Sequence, residues 1–345
     1  YQKYLENSYI IYDEKIKKVG PMTDFNSKGI DEILDVKNNL VLPGFVSGHT
    51  HLYSAFARGL GVDFNPTNFV EVLEQLWWKL DYCLKNEMVY HSAVAFGIDQ
   101  LKTGTTTLID HHASGQIIGS LDMIKKALKE DLGVRAILAF ETSDRFNIDE
   151  CIQENTNFIK NNHDSFTSGL FGLHAGFTLS DSTLEKVKKN LNGAGIHIHV
   201  GESLMDEEDS LMKHGKTVVQ RLDDFNLIND RSILVHCANV DESELDIIAK
   251  RKAFIAVNTT SNMNNAVGLP DLALMRKKGI KVMIGNDGLI QSMPIEYLNA
   301  YYTAHLKAKD PIGYPLDGIK EAIINSYEFV NRGLGTKLGT IEAGS

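Results

Sequence analysis

The sequence predicts an α/β protein: a TIM-like (β/α)8 barrel with a small β domain contributed by the chain ends. The chain has 345 residues, and a barrel of this kind takes roughly 250. One large domain with a small appendage therefore fits better than two equal domains. After residue 40, apolar β-rich runs alternate with segments of helical periodicity. We count eight such runs, which is the number of strands in a (β/α)8 barrel.

The elements follow in order along the chain. Residues 8–20 predict two short strands joined by a turn. The predicted barrel strands lie at 41–49, 105–112, 134–141, 168–177, 195–202, 232–240, 253–260 and 281–288. Helices are predicted at 85–102, 120–131, 181–191, 215–226 and 242–251, with another within 53–84, which is too long for a simple loop. The β-like end LGTIEAGS stops abruptly and Tyr1 is not a methionine, so we expect a chain cut at both ends.

The composition is that of an ordinary globular protein, with 43% hydrophobic and 23% charged residues. Its formal net charge is −10, so a nucleic acid or an anionic membrane would be repelled. No apolar run reaches the roughly 20 residues that span a bilayer. Cys83, Cys151 and Cys237 form no C-x-x-C pair, which argues against a disulfide framework and favours a cytoplasmic location.

Polar groups of the kinds used in catalysis end almost every predicted barrel strand. In a (β/α)8 barrel the carboxyl ends of the strands surround a single pocket, so these groups are expected to converge. A single histidine of this kind is more often a hydrogen-bonded core or loop residue, but the repetition argues against coincidence. The groups are His49, His51, His111, His112, Glu141, His174, His199, Glu202, His236, Asn258 and Asp287.

His49-Thr50-His51 is the most informative pair. Residues i and i+2 of an extended strand point to the same face, so both imidazoles can bind one ion at about 2.0–2.1 Å, as zinc requires. An isolated H-x-H is weak evidence, because His197-Ile198-His199 has the same spacing. The setting of the first pair, between LPGFV and Leu52, strengthens it.

The segment LPGFVSGHTHL (42–52) closely resembles the opening strand of the amidohydrolase superfamily. The similar branch contains cytosine, guanine and adenosylhomocysteine deaminases and the chlorohydrolases. GTTTLIDHHAS (104–114) and GLHAGFTLSD (172–181) are most similar to aminohydrolases of that branch with a DHHAS signature. The likeness covers nearly the whole chain. It implies a metal-dependent hydrolase that acts on C–N bonds other than peptide bonds.

The resemblance implies one divalent ion held by His49, His51, His199 and Asp287. Asp287 lies in GNDG, where the family usually has G-T-D-G; by itself, an Asp between Asn and Gly is equally typical of a turn. The fourth strand, SGLFGLHAGF, has no lysine that could bridge two metals, so a mononuclear site is expected. Three imidazoles and a carboxylate suit zinc first, with iron and manganese compatible.

The resemblance also implies catalytic roles for Glu202, His236 and Asp287. Glu202 follows His199 in an H-x-x-E pattern that pairs a ligand with a proton shuttle in these enzymes. His236 matches a histidine that contacts the attacking water, and Asp287 would orient the same water. The ion lowers the pKa of its bound water to about 7, and the hydroxide attacks an sp² ring carbon while Glu202 carries the protons. The alternative for Glu202 is a solvated carboxylate.

Substrate-binding roles are implied for four residues. His174 lies in a segment that contacts the substrate ring in these deaminases. Arg145 resembles a substrate-binding arginine, with a solvated loop charge as the alternative. Asp81 corresponds to a substrate-reading glutamate of the adenosylhomocysteine branch, against the alternative of a solvent-facing helix carboxylate. Asn258 is kept from a strand-seven motif, H-N-P-x-S-N, whose histidine and proline this chain lacks, so the substrate stays open.

The full prediction has three parts: 1–42 as the N-terminal part of a composite β-sandwich, 43–333 as the barrel, and 334–345 as a truncated return to the sandwich. The predicted activity is hydrolytic deamination of a purine- or pyrimidine-like heterocycle. The alternatives are a chlorohydrolase or cyclic amide hydrolase on the same site, or a barrel that binds metal or ligand without turnover. Exposed apolar surface expected around residues 53–84, including Trp77 and Trp78, predicts a homo-oligomer. The sequence does not distinguish which of His111 and His112 faces the pocket.

Overall fold

Parallel strands alternate with helices along most of the computed structural model, which describes residues 4–289 and 292–345. Two earlier strands, Ser8–Tyr12 (β1) and Ile16–Pro21 (β2), pair antiparallel. The later strands are Phe45–Thr50 (β3), Thr105–His112 (β4), Arg135–Phe140 (β5), Thr167–Gly169 (β6), Phe171–Ala175 (β7), Ile196–Val200 (β8), Ile233–His236 (β9), Phe254–Val257 (β10) and Lys281–Ile284 (β11). The predicted α/β class is confirmed.

Strands β3 to β11 form two parallel sheets, in the orders β3-β4-β5-β6 and β11-β10-β9-β8-β7. The sheets meet at both edges through isolated bridges, Thr50 with Asp287 and Thr142 with Leu173. Only Leu170 separates β6 from β7, so these two occupy one strand position and the eight predicted positions are confirmed. This is the arrangement of a TIM-like barrel, joined at its two seams by isolated bridges instead of continuous ladders.

Helices follow most of the strands. The α-helices are Phe69–Val72 (α1), Trp78–Cys83 (α2), Asn86–Lys102 (α3), Ser120–Lys125 (α4), Ile148–Asn161 (α5), Asp181–Asn190 (α6), Leu204–His214 (α7), Val218–Asp224 (α8), Glu242–Arg251 (α9), Thr259–Asn264 (α10), Leu272–Lys277 (α11), Met293–Ala308 (α12) and Leu316–Leu334 (α13). π-Helical turns at Leu73–Trp77 and Lys126–Asp131 extend α1 and α4, and 3₁₀ turns lie at Met22–Asp24, Leu52–Ala57 and Gly176–Thr178. The helices predicted from periodicity are confirmed.

Helix α8 begins three residues later than predicted, and local chemistry explains the shift. Gly215 adopts a left-handed conformation (φ 67°) and ends α7, as glycine does at helix C-termini. Thr217 then caps α8, because its side chain accepts from the Gln220 backbone while the Gln220 side chain accepts from the Thr217 backbone. The short link between these two signals positions α7 and α8 beside the carboxyl end of β8.

The core has one cluster to which both sheets contribute. Strands β3, β4, β5, β9, β10 and β11 supply buried apolar residues to it, and α13 supplies four more, including Tyr327 and Phe329. Side chains from both sheets can pack together only if the sheets face each other, so this cluster fills the barrel interior and α13 covers one end. The polar residues described below lie at the opposite, carboxyl ends of the strands.

The seam between β5 and β7 leaves no room for a side chain at Gly172. A Cβ atom there would lie 2.2 Å from the Phe140 carbonyl oxygen, and a backbone atom cannot move aside cheaply. We expect Gly172→Ala to lower the free energy of unfolding by about 1–3 kcal/mol, measured by chemical denaturation. Gly61→Ala is the control, since nothing lies within 4 Å of its added Cβ. Equal stability of the two variants would contradict this packing.

The last residues return to the first strands without forming a strand of their own. The Ile16 amide donates to the Ser345 carbonyl (2.9 Å) and the Gly344 amide to the Ile16 carbonyl (2.8 Å). The β-like character predicted for the end is wrong, because Gly339 and Gly344 have left-handed conformations (φ 93° and 89°) that interrupt an extended chain. The composite β-sandwich and its domain boundaries stay predictions. Among the described helices, none has the length and apolar character to cross a bilayer.

Candidate active site

A cavity of about 880 Å³ lies over the carboxyl ends of the barrel strands. This is the face at which barrel enzymes carry out their chemistry. The predicted convergence holds for most of the polar strand ends, which come from six different strands or the loops directly after them. His51, Glu141, His174, His199, Glu202, His236 and Asp287 line the cavity.

His49 and His51 lie on the same side of β3 and its extension, as their spacing predicts, with ring centroids 4.7 Å apart. The Nδ1 atom of His49 is 2.9 Å from His197 Nε2. Its own Nε2 atom is fully buried and has no hydrogen-bond partner. A buried ring nitrogen without a partner costs free energy unless something binds it, so this atom is available as a ligand.

The Nε2 atoms of His51 and His199 face each other, and each presents a lone pair. The Nδ1 atom of His51 donates to the His111 carbonyl (2.6 Å), and Nδ1 of His199 donates to the His174 carbonyl (2.9 Å). A neutral imidazole carries one proton, so both Nε2 atoms, 3.2 Å apart, present lone pairs. Burial and neighbouring imidazoles hold the pKa of His199 well below its usual value. Two facing lone pairs repel unless a cation lies beside them, which favours a metal ion here.

Asp287 completes the donor set from the last strand of the barrel. Its Oδ1 atom lies 3.4 Å from His51 Nε2, and ligand atoms of His49, His51 and Asp287 all lie within 4.8 Å of one another. The backbone at Asp287 has φ 52°, a conformation that costs free energy in a non-glycine residue and is common at functional sites. Asp287 also forms a parallel bridge with Thr50, so it lies at a strand end and not in a turn, with its carboxylate beside the two histidines.

Glu202 and His236 lie beside this donor set. The Nε2 atom of His236 is 3.5 Å from Glu202 Oε2 and 3.7 Å from Asp287 Oδ2. Its Nδ1 atom donates to Asn262 Oδ1 (2.7 Å), which fixes the ring. Burial, and then the charge of Asp287, raise the pKa of Glu202 well above its usual value. A raised pKa makes a carboxylate a better proton acceptor, as a general base requires.

His111, and not His112, faces the histidine cluster. The His111 ring lies 4.6 Å from the His199 ring and 4.9 Å from the His197 ring. His112 packs instead against Tyr53 and Phe140, because successive strand residues point to opposite faces. Burial lowers the pKa of His112 to about 3, so it is a neutral core residue.

Asp81 and Glu141 form one wall of the cavity, and Arg145 pairs with both of them. The Arg145 guanidinium donates to Asp81 Oδ2 (2.8 Å) and to Glu141 Oε1 (2.7 Å). It also lies over the rings of Trp78 and Phe146, at 4.8 and 4.7 Å. Arg145 is therefore not a solvated loop charge, and Asp81, which is 1% exposed, is not a solvent-facing carboxylate. Burial raises the pKa of Asp81 to about 7 despite the arginine.

Asn258 lies away from the cavity. It is fully buried, and neither atom of its amide has a partner. A Cβ added at Gly285 would lie 2.5 Å from both Asn258 Oδ1 and the His49 carbonyl. Asn258 thus packs near the backbone of β3, and its contact with a substrate stays a prediction.

Sequence reasoning missed three features of the site. Glu141 was noted only as a polar strand end. His197 received no role, although the alternation of β8 places it on the same face as His199, where it fixes His49. Trp77 and Trp78, expected in an exposed apolar patch, are partly buried and line the cavity. Other residues of the same stretch, Leu60, Val62 and Tyr82, are exposed, so the homo-oligomer stays a prediction.

The donor set suits one divalent ion. Three imidazoles and a carboxylate, presented from three strands or the residues directly after them, are the ligands that zinc and similar ions prefer. Lysine is absent from the described lining of the cavity, so the group that bridges two metals in binuclear relatives has no counterpart there. The chemistry of the residues therefore fits a single metal.

Comparisons with known proteins point the same way. The profile that describes the amidohydrolase family matches residues 40–345. The chain is 29% identical to a 5'-deoxyadenosine deaminase of Methanobrevibacter smithii, over 99% of this chain and 78% of that protein. It is 30% identical to a 5-methylthioadenosine/S-adenosylhomocysteine deaminase of Thermoanaerobacter pseudethanolicus, over 91% and 73%.

A solved structure supports the fold. The chain superposes on an adenosine deaminase from Xanthomonas campestris that contains bound zinc, with a TM-score of 0.81 and 22% identity, covering 99% of this chain and 79% of the other. At this identity the match confirms the barrel architecture, and the chemistry has to be argued from the residues of this chain.

Proposed function

This chain belongs to the amidohydrolase family, and from that premise we propose that it deaminates a 6-aminopurine nucleoside by metal-dependent hydrolysis. One observation carries the proposal: imidazole lone pairs and carboxylates from five barrel strands converge beneath a single cavity. The amidohydrolase assignment makes the protein a hydrolase, and the relatives named above are deaminases that act on nucleosides with altered 5' positions. A binding protein without turnover would have no use for a proton-carrying acid beside the ligands.

His49, His51, His199 and Asp287 would hold the metal. When bound, a divalent ion such as zinc lowers the pKa of a water ligand to about 7 and so supplies a nucleophile at neutral pH. Zinc is the first choice for this donor set, and iron and manganese are compatible with it. His236, whose Nδ1 atom donates to Asn262, would orient the water.

Glu202 would carry the protons. It accepts one proton from the attacking water and delivers it to the ring nitrogen next to the carbon under attack. The new C–O bond forms, the C–N bond to the exocyclic amine breaks, and a second proton passes through Glu202 to the nitrogen that leaves as ammonia. The raised pKa of Glu202 suits both directions of transfer.

The size and lining of the cavity favour a nucleoside over a free base. At about 880 Å³ it lies in the upper part of the range of about 300–1,000 Å³ for small-molecule sites. Aromatic rings of Trp77, Trp78 and Phe177 line it and offer apolar surfaces for a purine. His174, between Glu141 and the proposed ligand His199, would contact the ring.

A panel assay tests the proposal. Metal-loaded enzyme is incubated with adenosine, 5'-deoxyadenosine, 5-methylthioadenosine, guanine, cytosine and a chlorinated triazine, and released ammonia and chloride are measured. We expect ammonia from the 6-aminopurine nucleosides and none from metal-stripped enzyme. Chloride without ammonia would favour the chlorohydrolase alternative, and no product with a full metal complement would favour a binding protein.

The location and assembly of the protein remain proposals from the sequence. We propose a cytoplasmic enzyme, on the basis of its three unpaired cysteines and the usual reducing compartment. We also propose self-association, which the exposed apolar side chains of Leu60, Val62 and Tyr82 support. Light scattering at micromolar concentration decides it directly, and a monomer would remove the proposal.

A further inference from the structure

The charged lining of the cavity has one sign. Five carboxylate side chains line it: Asp81, Glu141, Glu202, Asp206 and Asp287. No lysine or arginine is among its described lining residues. Glu202 and Asp287 lie at the proposed metal, whose positive charge offsets them. Asp81 and Glu141 pair instead with Arg145, which is not among the described lining residues.

Among the residues that the structure describes, Arg145 is the cation paired with this wall, and its donors are already engaged. Its guanidinium donates to both Asp81 and Glu141 and is covered by two aromatic rings. The two carboxylates are 1% and 3% exposed and share this single positive charge. Ionised together, the three groups carry a net charge of about −1, and the side that contacts the cavity is the acidic one.

His174 adds a third acceptor to the same wall. Thr178 Oγ1 donates to the Ala175 carbonyl (3.1 Å), so the 2.8 Å contact between His174 Nδ1 and Thr178 Oγ1 uses the His174 proton. His174 Nε2 is therefore a lone pair. Glu141 Oε1 lies 4.0 Å from His174 Nδ1, so the His174 ring lies beside Glu141.

We propose that the Asp81–Glu141 wall selects substrates that present hydrogen-bond donors, best of all a positively charged amine, and rejects those that present a carboxylate or phosphate. The inference rests on the proposed function for the identity of the reacting ring. Glu141 is the specificity-determining residue that keeps Arg145 from binding an anionic substrate. A substrate carboxylate here would meet only acceptors and a negative field, and both effects disfavour it.

Three adenosine derivatives that differ only at the 5' carbon test the wall: a 5'-amine, the 5'-deoxy compound and a 5'-phosphate. The assay measures ammonia release by metal-loaded enzyme, at about pH 8 so that Asp81 is ionised. We expect kcat/KM to fall in the order amine, deoxy, phosphate, with about 10–10³-fold between first and last. Higher salt should reduce this ratio, since it screens charge.

Glu141→Gln keeps the size of the side chain and removes its charge. We expect the preference for amine over phosphate, measured as the ratio of the two kcat/KM values, to fall by about tenfold or more. Asp81→Asn provides a second variant in case the first does not fold. Glu74→Gln is the matched control, because Glu74 is an exposed carboxylate that precedes α2 and does not line the cavity.

Binding of the same three compounds to metal-loaded Glu202→Gln protein, by calorimetry, separates this inference from the proposed function. If the unmodified enzyme releases no ammonia from any of the three compounds but the Glu202→Gln protein still binds the amine tightest, deamination is rejected and the selectivity of the wall is supported. Tighter binding or faster turnover of the phosphate would mean that Arg145 leaves its carboxylates for the substrate, which overturns the inference. An unchanged preference in Glu141→Gln, or binding of none of the three, also overturns it.

Discussion

Replacing Glu202 with glutamine should lower kcat by about 10²–10⁴-fold, the usual contribution of a general acid–base group. The loss should fall near the upper end, because one carboxyl serves both proton transfers. Glutamine keeps the shape of the side chain but cannot take the proton from water. Bound metal, measured by elemental analysis, and substrate affinity should stay close to those of the unmodified protein.

The matched control for this variant is Glu208→Gln. Glu208 is an exposed carboxylate on α7, whereas its neighbour Glu207 is buried and accepts from the Val218 amide (3.1 Å), so a change at Glu207 would disturb the fold. Near-normal turnover in Glu202→Gln with metal intact would show that another group carries the proton. Loss of metal would instead mean that Glu202 is a metal ligand. Glu202 lies close enough to His236 and Asp287 for such a role.

Replacing His51 with alanine should remove most of the bound metal and abolish turnover. The unmodified protein should carry close to one equivalent of a divalent ion, because one set of donors converges and no bridging lysine is present among the described lining residues. Three remaining ligands hold a borderline ion poorly. Metal content after dialysis, by elemental analysis, is the measurement.

His163→Ala is the control for the metal measurement, since His163 is an exposed imidazole outside the cluster. It should keep a full equivalent. Circular dichroism of both variants separates loss of a ligand from loss of the fold. Two equivalents in the unmodified protein, or unchanged metal in a folded His51→Ala protein, would contradict the mononuclear site.

Strand periodicity predicted the part of the site that depends on the regular barrel. The i, i+2 spacing of His49 and His51 places both rings on one face, and the repetition of polar strand ends predicts convergence at one rim. These rules need only local sequence and the fold class, so the histidine cluster could be located before the structure was known. The same rule, applied to His197, would also have identified the partner of His49.

Contacts between distant segments could not be predicted in the same way. Arg145 pairs with Asp81 across 64 residues, and nothing local distinguishes that arginine from a solvated one. The acidic run at 206–209 looks uniform in sequence, yet Asp206 accepts from the Gly201 and Phe177 amides (3.0 and 3.1 Å) and is buried. The sequence shows that Trp77 and Trp78 are apolar, but it does not show that their rings line the cavity.

Metal-loaded enzyme incubated with a 6-aminopurine nucleoside in heavy-oxygen water provides the most direct test of the central claim, that the chain is a metal-dependent hydrolytic deaminase. The account predicts ammonia and product in equal amounts, with one heavy oxygen at the ring carbon that lost nitrogen and no reaction after the metal is removed. Metal-replete enzyme that releases no ammonia from any 6-aminopurine nucleoside, or product whose new oxygen does not come from water, would contradict it.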